Sequence, residues 1–383
     1  MSQDWIPLSD PDISTAELEA VMAALQAPQL SSGPMAELFE KEFAAYIGRK
    51  HAIAVSSGTQ AILLCLRAYH IGPGHEVILS AYSWHQIGHA VALAGATPVF
   101  ADIDYWSGTL SPEKVKSKIT AHTHAILAGN TNGHPAAWQE LRDVSNQHGL
   151  LLLEDSTEAI GSRYQGSRVG SFGDCAIFDF SQPGLLVCGE GGMIVTDDDD
   201  IASALRYHRH RRIDTRFSVS ITAHLPYQAL LSDVTAALGL AQLRRIDAIL
   251  ARRKVVEGYY YEHIKSFEGI KDPYIAPGVD EVNWFVYLVH LGTRFTRSSR
   301  DAIVEDLHTE SIGAAAYCQP LHVQRYYLDH GHRKGECLVT EKVADRVVAL
   351  PFHAHLTEEQ VGFIVQTAKD ASINVGAGSA IYL

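Results

Sequence analysis

Positive charge is scarce in this chain. Against 44 Asp and Glu stand 31 Lys and Arg, a formal net charge of −13, and that sign repels a phosphate backbone, so no nucleic-acid partner is expected. Long apolar runs are missing as well. The most apolar stretches, such as Gly149–Leu153, are strand-sized and far short of the ~20 residues that a membrane span requires. Cysteine is sparse and dispersed: Cys65, Cys175, Cys188, Cys318 and Cys337 include no C-x-x-C pair, which argues against a disulfide scaffold and for reduced, buried thiols. The histidine pairs His208/His210, His330/His332 and His353/His355 come with no Cys or carboxylate framework, so no metal site is expected. Met1–Asp10 has neither a basic segment nor an apolar one, so the expected location is the cytoplasm.

What is present is a regular alternation. Thr15–Leu25 and Pro34–Ile47 carry the three- and four-residue spacing of amphipathic helices. Short apolar strands then alternate with helices. His51–Val55 precedes Gln60–Ala68, Glu76–Ser80 precedes Trp84–Ala94, and Thr97–Ala101 follows. Ala125–Ala128, Ala136–His148 and Leu150–Leu153 repeat the scheme. Strands apolar on both faces imply a mainly parallel sheet covered by helices, an α/β fold. After Leu243 the texture changes. Arg244–Ser266 reads as a long charged helix, Val282–Leu291 as a strand, Arg300–Thr309 as a helix and Thr357–Asp370 as a closing helix capped by Thr357. The expected division is a large domain over 1–245 and a smaller α+β domain over 246–383.

Several motifs occur in a telling order: Leu30–Pro34, Ser56-Ser57-Gly58-Thr59, Gly95–Phe100, Glu154-Asp155, Gly189-Glu190-Gly191-Gly192, Ala236–Leu243 and Gln319-Pro320-Leu321-His322. Together they resemble the DegT/StrS family of sugar aminotransferases, across nearly the whole chain. The resemblance implies the fold-type I architecture, a symmetric homodimer with a shared site, and a keto-sugar or keto-cyclitol substrate. It also implies pyridoxal phosphate as cofactor. In the family the turn at Ser57, Gly58 and Thr59 holds the cofactor phosphate at a helix start, Trp84 covers the pyridine face, and Asp155 pairs with the pyridine nitrogen.

Other positions depart from that pattern. Where the family carries its Schiff-base lysine, five residues before Gly189, this chain has Gly184, which offers no amine to tether a cofactor or shuttle a proton. Asp179 replaces a phosphate-binding serine, and Glu158 replaces a Gln or His that contacts the cofactor's phenolic oxygen. In the segment that reaches across the dimer, Gln228 and Leu230 stand where Asn and Arg are usual. A carboxylate beside a phosphate is repulsive, about 4 kcal/mol per like charge at ~4 Å.

The expectation is therefore an enzyme of small-molecule biosynthesis that works without pyridoxal phosphate. Asp155, Glu158 and Asp179 would converge on the old cofactor cavity and run acid/base chemistry, with His85 as a partner near neutral pH. Such a pocket suits an amine-bearing substrate. Two alternatives stand beside it: pyridoxal or pyridoxamine phosphate held non-covalently, and a catalytically silent binding partner.

Overall fold

The structure is a computed structural model that describes residues 5–210, 225–265, 274–376 and 381–382. Ser14 opens α1 (Thr15–Gln26) with a capping box: its hydroxyl accepts from Ala16 N, and the Glu17 carboxylate accepts from Ser14 N. Helix α2 (Pro34–Ile47) ends on Gly48 at φ +87, where a left-handed turn favours glycine. Alternation follows through β1 (His51–Val55), α3 (Gly58–Ala68), β2 (Glu76–Ser80), α4 (His85–Leu93), β3 (Thr97–Ala101), α5 (Pro112–Lys116), β4 (Thr123–Gly129), α6 (Trp138–His148) and β5 (Leu151–Asp155). The short pair β6 (Arg163–Tyr164) and β7 (Ser167–Arg168) leads to β8 (Cys175–Asp179), β9 (Gly192–Thr196), α7 (Asp199–Arg209) and α8 (Asp233–Ile264).

Seven of these nine strands form one sheet in the order β1-β9-β8-β5-β4-β2-β3. Strands β3, β2, β4, β5 and β8 run parallel, while β9 lies antiparallel to β8 and β1. The carboxyl ends of β2, β4, β5 and β8 consequently share one edge, where α/β folds bind ligands.

Period-two alternation decides which side chains face α3. On β8, Cys175 and Ile177 pack into the cluster that contains α3, so Asp179 falls on that face too. Ala176 and Phe178 turn to the opposite layer, where Phe178 meets Phe43 of α2 edge-on at 4.9 Å, a contact worth about 0.5–1.5 kcal/mol beyond its burial. On β5, Leu153 faces the α3 layer and brings Asp155 with it.

The remainder is built from β10 (Val279–Glu281), β11 (Tyr287–Leu291), α9 (Arg297–Thr309), β12 (Ala315–Ala316), α10 (Arg325–Asp329), α11 (Leu338–Ala344), β13 (Val347–Leu350), α12 (Glu358–Gly376) and β14 (Ile381–Tyr382). Its antiparallel sheet has the order β12-β13-β11-β14.

Two expectations are corrected here. Helix α8 starts at Asp233 rather than Arg244, because Ser232 caps it by accepting from Thr235 N at 3.1 Å; Ser266, its expected end, lies outside the described residues. It runs unbroken through residue 245, so a division there leaves one helix shared by both domains. The single strand expected over Val282–Leu291 is broken. Asn283 N donates to Ser162 Oγ, and Val286 N donates to Asn132 Oδ1, so these donors tie to the large domain instead of a ladder. Among the described residues no helix is long and apolar enough to cross a membrane.

Candidate functional site

Three carboxylates meet at the sheet edge. Asp179 ends β8, and its Oδ2 accepts from the backbone N–H of Gly58 at 2.7 Å, at the first residue of α3. Its Oδ1 accepts from Ser181 N at 2.7 Å and from the Ser181 hydroxyl. Approach is close enough that a Cβ on Gly58 would stand 2.6 Å from Asp179 Oδ2, so any side chain there requires the Asp179 side chain to move. Ser57 meanwhile caps α3 conventionally, its hydroxyl accepting from Gln60 N at 3.2 Å. Thr59 follows in the same turn and is half-buried. The helix start that would receive a phosphate is thus already served by a side chain of the protein.

Asp155 is buried at the end of β5 and accepts from Thr157 N at 3.1 Å through Oδ1. The Thr157 side chain adds a second hydrogen bond that, like the backbone one, favours the charged form. Burial, reinforced by the neighbouring charges of Asp179 and Glu154, pushes its pKa up to about 6. Thr157 links the two strands, since its hydroxyl accepts from Asp179 N at 3.1 Å.

Glu158, three residues beyond Asp155, is 6% exposed. The Trp84 indole N–H donates to Oε1; the Tyr317 hydroxyl and Asn132 N–H donate to Oε2, each at 2.5 Å. Burial raises its pKa to about 7, while the bonds from Tyr317, Asn132 and Trp84 pull it down and Asp155 adds to the rise. A carboxyl poised near neutrality can donate and accept a proton.

The remaining sequence candidates sort differently. Trp84 sits just before α4, its ring edge-on to Phe285 at 6.2 Å, with its N–H committed to Glu158. His85 does not join the cluster. Positions 85 and 89 lie one helical turn apart on the outer face of α4, and the exposed His85 ring packs 4.9 Å from His89. No hydrogen bond or ion pair joins it to Asp155, Glu158 or Asp179 among the described residues. Gln228 is exposed and has φ +53, while its neighbour Ala229 accepts from Ser56 N through its carbonyl. Gly184 lies between β8 and β9. A Cβ there would come within 3.0 Å of the Ser181 carbonyl and of Val187 Cγ1, so any side chain requires that loop to yield by a few tenths of an ångström.

Sequence reasoning missed Tyr317 and Asn132. The family-like Gln319–His322 stretch begins two residues after Tyr317, which was the available signal. Glu154, grouped with Asp155 by sequence, faces the other way and accepts from Gly170 N, Phe172 N and Gly173 N, so it orders a loop.

Comparison with known proteins identifies the family of the fold. The DegT/DnrJ/EryC1/StrS aminotransferase family matches residues 11–369. GDP-perosamine synthase of Caulobacter vibrioides is 34% identical over 94% of this chain and 96% of its own. S. venezuelae DesV, solved in complex with a ketimine intermediate, superposes with a TM-score of 0.87 at 30% identity, covering 96% of this chain and 98% of that one. A Streptococcus pneumoniae chain solved in its PMP-form shares the fold at a TM-score of 0.90 and 24% identity, covering 97% of this chain and 98% of that one. The chain belongs to the DegT/DnrJ/EryC1/StrS aminotransferase family.

Proposed function

We propose that this protein is a biosynthetic enzyme acting on a sugar, aminocyclitol or related small molecule, by carboxylate acid/base chemistry and without lysine-bound pyridoxal phosphate. The observation that carries the reading is the bond from Gly58 N–H to Asp179. Phosphate placed at that helix start would displace the carboxylate or sit against it, at about 4 kcal/mol per like charge at ~4 Å. Gly184 supplies no amine to compensate. The phosphate end of the cofactor and its lysine tether therefore do not fit these residues.

Asp155 offers a buried carboxylate to a protonated nitrogen of the substrate. Glu158 moves a proton, held in position by Trp84, Tyr317 and Asn132. The arrangement suits a dehydration, isomerisation, cyclisation or condensation. We take the active form as a homodimer, with large and small domains dividing near residue 245.

A second reading has the comparisons on its side. Asp155 and Trp84 remain where a pyridine ring would be recognised, and relatives include a ketimine complex and a PMP-form. Under it the chain holds pyridoxamine or pyridoxal phosphate non-covalently, and the bound group supplies an amino donor and electron sink. Calorimetric titration with pyridoxamine phosphate separates the two. The first reading expects no saturable heat from the native chain and a gain of binding in Asp179→Ser. Saturable binding by the native chain, abolished in Asp155→Asn, overturns it in favour of the second.

A further inference from the structure

A cavity of about 320 Å³ lies between the loops of the large domain and the small domain's sheet. Its walls come from the loops after β3 and β4 on one side and from residues Val286–Thr293 on the other. It therefore opens at the carboxyl edge of the parallel strands, between domains, where small-molecule sites concentrate. Its volume falls at the low end of the range for ligand pockets, about 300–1,000 Å³.

The lining has a definite chemistry. Among the described residues that line the cavity there is no Asp, Glu, Lys or Arg. Trp106, Tyr274 and His134 form an aromatic wall: Tyr274 lies nearly parallel to His134 at 6.2 Å and 6.5 Å from Trp106. Leu288, Val286 and Val343 add apolar surface to the lining. The two histidines are uncharged near neutral pH, since burial lowers His134 and drives His290 down to about 4. His290 has no side-chain hydrogen-bond partner among the described residues, so it presents a neutral donor and acceptor.

These walls are fixed before any ligand arrives. The Asp104 carboxylate accepts from Trp106 N at 3.0 Å and Ser107 N at 2.9 Å, which sets the first loop. Asn132 ties the second loop across the cleft by accepting from Val286 N at 2.9 Å. Preorganisation of this kind lowers the ordering cost of binding.

We infer that this cavity binds an uncharged, planar aromatic ring carrying a single polar group, stacked on the Trp106–Tyr274–His134 wall and read by His290. Among the described lining residues a diphosphate would find no Lys or Arg, and hydroxyls of a sugar set against Leu288, Val286 and Val343 would be left unpaired. The inference is independent of the reading of Asp155 and Glu158. Asn132 is nonetheless shared: its N–H holds Glu158 while its residue lines the cavity, so occupancy adjoins the carboxylate site.

The test is calorimetric titration of the full chain with 2-naphthol, 2-naphthoate and methyl glucoside at neutral pH. Expected is saturable binding of 2-naphthol, weakened by about tenfold or more in Trp106→Ala and in Leu288→Trp, which fills the cavity. Naphthoate and methyl glucoside should bind at least about tenfold more weakly than naphthol. Trp106 is 62% exposed, so its truncation leaves the fold intact, and thermal unfolding of both variants checks this. No saturable naphthol binding, naphthol binding indifferent to both variants, or glucoside or naphthoate binding as tightly as naphthol would overturn the inference.

Discussion

Asp179 Oδ2 lies 2.7 Å from the backbone nitrogen of Gly58, so a side chain of β8 caps the first turn of α3. Charge at a helix N-terminus is stabilising when negative, and the bond is charge-assisted. The same residue therefore supports the fold and occupies the position at which an external anion would act.

Replacing Asp179 with serine should separate those two effects. The variant loses about 1 kcal/mol of stability with the cap, measured by urea unfolding. It should also gain stabilisation from added inorganic phosphate, seen as a rise in Tm that the native chain lacks. Equal phosphate responses in both proteins would contradict the assignment.

Glu158 predicts a pH dependence with a definite sign. Its folded pKa, about 7, lies above the ordinary value of 4.5, so the folded state binds more protons than the unfolded chain between those values. Stability from this group is complete below about pH 4.5 and is lost as pH rises toward 7, a total of about 3 kcal/mol. Glu17, held low at about 2 despite its burial by Ser14, Arg245 and Gln242, contributes the opposite slope below pH 4.5. The difference between native protein and Glu158→Gln should isolate the Glu158 component in denaturant unfolding at pH 5, 6, 7 and 8. A flat difference across that range would refute it.

Tyr317→Phe removes a donor that pulls Glu158 downward. The window of declining stability should then extend to higher pH, and the variant should lose about 1–3 kcal/mol above pH 7, where the charged carboxylate is left short of a partner. The same unfolding series checks it; an unchanged window means Tyr317 does not act on Glu158.

Much of this was legible in the sequence, for physical reasons. Strands such as Leu151–Asp155 are apolar on both faces, which only a covered parallel sheet allows, and their ends locate Asp155 and Asp179. Glu158 follows within one turn of chain. Tyr317 was legible only through its nearness to the Gln319–His322 stretch, because 159 residues separate it from Glu158 and a tyrosine in an apolar stretch reads equally as core. His85 was misplaced because adjacency to Trp84 in sequence says nothing about which face of α4 carries it. The break before β11 depended on Asn132 and Ser162 supplying partners to that segment's backbone, a tertiary fact without a local signal.

Gly184→Lys on its own should not restore a covalent cofactor. The new side chain must displace the Ser181–Val187 loop, which costs about 1–3 kcal/mol, and Asp179 still caps α3. Borohydride reduction after incubation with pyridoxal phosphate, followed by mass spectrometry, should show no adduct at residue 184. Pairing it with Asp179→Ser should raise the adduct yield; a full adduct in the single variant would show that position 184 alone separates this chain from its lysine-bearing pattern.

The central claim is that this site neither tethers nor accommodates a phosphorylated pyridine. The visible absorption spectrum of the purified protein, recorded before and after addition of pyridoxal phosphate and removal of the excess, tests it most directly. The account predicts a colourless protein in both cases. A retained chromophore, covalent or not, contradicts it.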